Sequence, residues 1–162
     1  MLKLQSIKKR YYEEPMKKNV LLSIASTQCF EGCEPEHIDL MTEATLYERN
    51  GKYYITYEES ELTGLVGTRT MLKMDGTTVS MIRTGTYPSE LLFAENQRHV
   101  GLYHTEFGAL TISTHTSRME NTIGENGGEL AIEYTIEVDN SMVGRHQFRM
   151  TVTPTENEES ER

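Results

Sequence analysis

The stretch Ala44-Thr45-Leu46-Tyr47-Glu48-Arg49-Asn50-Gly51-Lys52-Tyr53-Tyr54-Ile55-Thr56-Tyr57 decides the fold. Asn50 and Gly51 are residue types that accept positive φ at both central positions of a type I′ turn, a common closure of a two-residue β-hairpin. A turn there fixes the register, so that Glu48 faces Tyr53, Leu46 faces Ile55 and Ala44 faces Tyr57. The apolar residues of both strands then fall on one face, as a half-buried antiparallel pair requires.

The same period-two alternation runs outward from this hairpin over about residues 20 to 153. Val20, Leu22 and Ile24 alternate with Leu21, Ser23 and Ala25, and Ile38, Leu40 and Thr42 lead into the hairpin. Asp75-Gly76 reads as a second two-residue turn, placing Leu72 opposite Val79 and Thr70 opposite Met81. Leu130, Ile132, Tyr134, Ile136 and Val138 alternate with Glu129, Ala131, Glu133, Thr135 and Glu137. His146, Phe148, Met150 and Val152 alternate with Arg145, Gln147, Arg149 and Thr151. No amphipathic helix of useful length interrupts these strands. So many consecutive strands would leave exposed edges unless the sheet closes, which predicts an all-β, antiparallel up-and-down meander closed into a barrel.

The 162 residues suffice for one domain with a sizeable core, and no apolar run is long enough to span a membrane as a helix. The pattern divides the chain into a basic extension (1–18), the barrel (19–154) and an acidic tail (155–162) expected to be disordered. The extension carries +4, so a total of −9 leaves −13 on the rest. A body that acidic repels phosphate backbones, which argues against nucleic acid binding through the barrel. Met16-Lys17-Lys18 and Val20 to Ala25 ahead of Cys29 imitate a lipoprotein signal. The apolar run is too short, however, and Gln28 is not the small residue expected before the cysteine. The segment therefore reads as a strand, and the expected compartment is the cytoplasm, with both thiols reduced.

From Tyr53 to Tyr134 the chain also resembles a known family. The stretches that carry the likeness are Tyr57-Glu58-Glu59, Thr70, Lys73, Arg83-Thr84-Gly85, Phe93, Tyr103-His104-Thr105-Glu106-Phe107-Gly108, Leu110, Thr116, Gly128-Glu129-Leu130, Ile132 and Tyr134. In order and spacing they resemble the YwiB-like bacterial proteins, a domain-of-unknown-function family. The resemblance implies an antiparallel, calycin-like barrel of eight or more strands akin to lipocalins and fatty-acid-binding proteins, and it implies no activity. The chain has no Trp, so it lacks the Gly-x-Trp signature of true lipocalins.

Arg83 shares the parity of Val79 and Met81 and so points into the barrel. A guanidinium there needs an anion, several acceptors or water at a barrel end. It could grip a ligand head group; alternatively it pairs internally, with Glu48 or another inward carboxylate, or reaches solvent from a strand end. By parity Tyr53, Tyr57, Tyr103, Tyr134 and His146 give the interior a polar, aromatic lining, suited either to a small amphipathic ligand or to a filled core. Arg83, Tyr57, Tyr134 and His146 are the candidate ligand-binding residues.

Cys29, Cys33 and His37 are spaced four apart and are zinc-ligand types, but no second pair accompanies them, so no metal is expected. Gly64-Leu65-Val66-Gly67 lacks the lysine of a phosphate loop, and no Gly-x-Ser-x-Gly or cofactor motif is present. The function that fits best is a non-enzymatic barrel holding a small anionic or amphipathic molecule, with no cofactor. The alternatives are a protein-interaction module with a filled barrel and, last, an enzyme with titratable groups converging in the mouth.

Overall fold

The computed structural model describes residues 16–105, 108–138 and 141–155. The basic extension before residue 16 and the acidic tail after residue 155 lie outside them. Among the described residues ten strands follow in order: β1 (Lys17–Phe30), β2 (Glu36–Arg49), β3 (Lys52–Glu58), β4 (Thr68–Asp75), β5 (Thr78–Gly85), β6 (Ser89–Ala94), β7 (Arg98–Thr105), β8 (Gly108–Asn121), β9 (Gly128–Val138) and β10 (Ser141–Pro154). Each pairs antiparallel with its neighbours in sequence, and β1 pairs with both β2 and β10, closing the barrel. Closure leaves no edge strand, as the run of alternating segments required. The residues that imitate a signal, Val20 to Ala25, lie within β1, which begins at Lys17, so Lys17 and Lys18 belong to the barrel rather than to the extension.

The first hairpin has the expected register, with Glu48 opposite Tyr53 and Leu46 opposite Ile55. Asn50 and Gly51 both take positive φ, at 55° and 77°. The second hairpin is displaced from its expected register. Leu72 pairs with Met81 and Thr70 with Arg83, because the loop is Gly76-Thr77 and not Asp75-Gly76. Gly76 alone has positive φ, the pattern of a type II′ turn with glycine first. The displacement is two residues, an even number, so every side chain keeps its face.

The β6–β7 seam is thin, with one paired position, Ser89 opposite Tyr103. Strand β8 reaches across behind it: Thr114 Oγ1 donates to the Leu92 carbonyl, and the Asn96 amide donates to that of Thr116.

Burial follows the barrel axis. The turns at 50–51 and 76–77, the β8–β9 connection and both described chain ends share one end. There Val20, Leu22, Leu46, Ile55, Leu72, Val79, Phe93, Leu130, Ile132 and Met150 are almost wholly buried. Ile123, in the β8–β9 connection, is buried in the same core cluster. Towards the other end the inward residues open out. Along β1, Val20, Leu22 and Ile24 are buried, but Ser26, Gln28 and Phe30 are partly exposed. Along β9, Leu130 and Ile132 are buried, but Tyr134, Ile136 and Val138 are not fully covered.

Candidate functional site

The open half of the barrel encloses a cavity of about 390 Å³. Register brings its polar residues together. Tyr57 lies opposite Thr70, Thr70 opposite Arg83, and Arg83 opposite Ser89, in a row running from β3 to β6. On the other wall Tyr134 lies opposite His146, and His146 opposite Gln28. Of the candidate residues, Arg83, Tyr57, Tyr134 and His146 all line this one cavity, as does Tyr103. Tyr53 does not. It sits at the packed end against the core, beside Glu48, which raises its hydroxyl pKa by hydrogen bonding.

Arg83 points inward, as parity requires, and its carboxylate partner is Glu59 rather than Glu48. Arg83 Nε lies 3.8 Å from Glu59 Oε1, with the two side chains 19% and 1% exposed. Thr70 joins them: Arg83 Nε–H donates to Thr70 Oγ1 at 3.3 Å, and the Thr70 hydroxyl donates to Glu59 Oε1 at 2.6 Å. Thr63 Oγ1 donates to the other oxygen, Oε2, at 2.8 Å. The Glu59 amide donates to the Thr68 carbonyl, extending the β3–β4 ladder by one step and fixing where the carboxylate points. A carboxylate this buried persists because a cation and two hydroxyls satisfy it.

The sequence reading missed Glu59, which stands in the run Glu58-Glu59-Ser60-Glu61 and looks like a solvated loop. One signal was present: Glu59 shares the inward parity of Ile55 and Tyr57, continued one step past the strand.

The tyrosines and histidine feel this setting. Burial first, and the Glu59 charge second, push the Tyr57 hydroxyl far above its ordinary range, with Arg83 pulling the other way. Burial pushes Tyr134 up to about 12, again partly offset by Arg83. His146 is lowered by burial, which favours the neutral imidazole. Its ring stacks on Tyr134 at 5.1 Å and meets the edge of Phe30 at 5.4 Å, and its buried Nε2 has no hydrogen-bond partner among the described residues. Phe93 packs against the far side of this cluster, its ring 4.7 Å from that of Tyr134.

Cys29 and Cys33 are free, exposed thiols beside the β1–β2 turn, and His37 Nδ1 is instead hydrogen-bonded to Thr27 Oγ1 at 3.0 Å. Among the described residues no three His, Cys, Asp or Glu side chains gather as metal ligands.

The class this architecture defines is a closed, ten-stranded antiparallel β-barrel, packed at one end and hollow at the other. The chain belongs to the family described as Domain of unknown function (DUF1934), whose model matches residues 22–150, in keeping with the resemblance carried by the Tyr57 to Tyr134 stretches. It is similar to the uncharacterized β-barrel protein YwiB of Bacillus subtilis (strain 168), with 26% identity over 118 residues, covering 73% of this chain and 80% of that protein. The crystal structure of the ywiB protein from Bacillus subtilis shares the fold, with a TM-score of 0.76 at 22% identity, covering 86% of this chain and 93% of that one. No helix among the described residues is long and apolar enough to cross a membrane.

Proposed function

We propose that this barrel is a non-enzymatic binding protein for a small amphipathic molecule, held in the open half with Arg83, Tyr57, Tyr134 and His146 facing it. The observation that carries this reading is the cavity of about 390 Å³, which combines an apolar wall with a few convergent polar side chains. A hollow half favours ligand binding over an interaction module, which calls for a filled interior. The engagement of Glu59 favours binding over catalysis. Both of its oxygens already accept from threonine hydroxyls of the barrel wall, the arrangement of a carboxylate held in a structural network. The exposed free thiols fit a reducing, cytoplasmic setting.

The test is fluorescence binding of two probes sharing one ring body, uncharged N-phenyl-1-naphthylamine and anionic 1-anilinonaphthalene-8-sulfonate. At least one should bind the wild-type protein and be lost in Ile136→Trp, which fills the cavity from β9. If neither binds, or the substitution has no effect, the proposal is wrong.

A further inference from the structure

We infer that the molecule this cavity takes is an uncharged amphiphile rather than an anion, a reading that rests on the binding role proposed above. Among the described residues, Arg83 and Glu59 are the only lining residues of a type that is ionised at neutral pH, apart from a His146 that burial keeps neutral. They are opposite in sign and 3.8 Å apart, so together they add no net charge to the described lining. An anion brought to Arg83 would also meet Glu59, whose repulsion works against the attraction while the anion gives up its hydration. A cation meets the converse: Arg83 repels it, and the Glu59 oxygens already accept from Thr63 and Thr70.

An uncharged polar group meets neither penalty. Arg83 commits its Nε–H to Thr70 and keeps 19% of its side chain accessible. Tyr134 brings a hydroxyl that both donates and accepts, while that of Tyr57 is engaged with Glu59 and Thr70. Donors and acceptors without net charge match a hydroxyl, carbonyl or amide. Apolar contact comes from Met81, Leu91 and Phe148 on the packed side of this group and from Ile136, Val138 and Val143 towards the mouth, so the ligand's apolar part packs around a polar group placed beside Arg83.

The same two probes test this, since they differ in a sulfonate. The wild-type protein should bind N-phenyl-1-naphthylamine at least about ten times more tightly than the sulfonate. Glu59→Gln, which leaves Arg83 uncompensated, should tighten sulfonate binding about tenfold while changing the neutral probe's affinity less than about threefold, and Glu59→Gln combined with Arg83→Gln should cancel that gain. Thermal melts of each variant establish that it is folded, and the wild-type ratio decides the matter even where a variant is not. Equal or tighter sulfonate binding by the wild type, lost in Arg83→Gln, would overturn the uncharged ligand and leave the binding role standing. Failure of both probes would remove the two together.

Discussion

Ile132 and Ile136 lie on the same strand and the same face, four residues apart, and their truncation should cost very different amounts. Ile132 is 1% exposed and sits between Phe148 and Met119 on the adjacent strands. Removing its three outer carbons loses about 2.4 kcal/mol of transfer free energy at about 0.8 kcal/mol each. If roughly 40 Å³ stays unfilled, the cavity term of about 24 cal/mol per Å³ adds about 1 kcal/mol, for a total near 3.5 kcal/mol. Ile136 already borders empty space and is only partly buried, so Ile136→Ala loses part of the transfer term and opens little new void, costing about 1 kcal/mol. For a domain of this size those costs correspond to drops in melting temperature of about 7–14 °C and about 2–4 °C. Any loss of intrinsic strand preference is shared by both variants and cancels in the comparison. Urea unfolding followed by circular dichroism measures both. Costs within about 0.5 kcal/mol of each other would mean that the two ends of the barrel are equally packed, and the hollow half would be an illusion.

Alkaline titration followed at 295 nm should show a late phase from Tyr57 and Tyr134 that is reduced in Tyr134→Phe. Because the folded Tyr134 pKa is raised to about 12, its contribution to stability is intact below pH 10 and is lost as pH rises from 10 towards 12. His146 has the opposite dependence. Its lowered folded pKa means that the unfolded chain takes up the proton first, so stability falls as pH drops below about 6.5 and levels off past the folded pKa. The difference between wild type and His146→Phe in pH-dependent melts should show that slope, and a flat difference would refute it. Gly51→Ala should cost only the positive-φ penalty of about 1–2 kcal/mol, since its Cβ would meet open space. Gly85→Ala should cost more in the same melts, because its Cβ would collide with the Gly67 carbonyl oxygen.

Much of the fold could be read from alternation and one turn. Asn50-Gly51 set a register that parity then checked, and the inward sets of β1, β9 and β10 followed. The second hairpin was misread because Asp-Gly fits a type I′ turn as well as Gly-Thr fits type II′, and the strands tolerate a two-residue shift without exposing a core residue. The inward direction of Arg83 was also legible. Its partner was not, because Glu59 lies beyond the end of β3 in an acidic run whose neighbours face water. Nor could the sequence separate Tyr53 from Tyr57, which share parity but lie at different heights in the barrel, one against the core and one in the cavity. Parity reports the face of a sheet. Height along the axis depends on how ten strands tilt and close, which is a property of the whole ring.

The meeting of β1 with β10 has a consequence for anything joined to this barrel. The Thr155 amide donates to the Asn19 carbonyl, and the Met16 carbonyl accepts from the Glu48 amide, so the two described chain ends stand side by side at the packed end. A tag or partner domain fused after Thr155 would be tethered on the side away from the mouth. A short linker from Thr155 back to Met16, with the chain reopened in the β3–β4 loop, would give a circular permutant that keeps all ten strand neighbours in place.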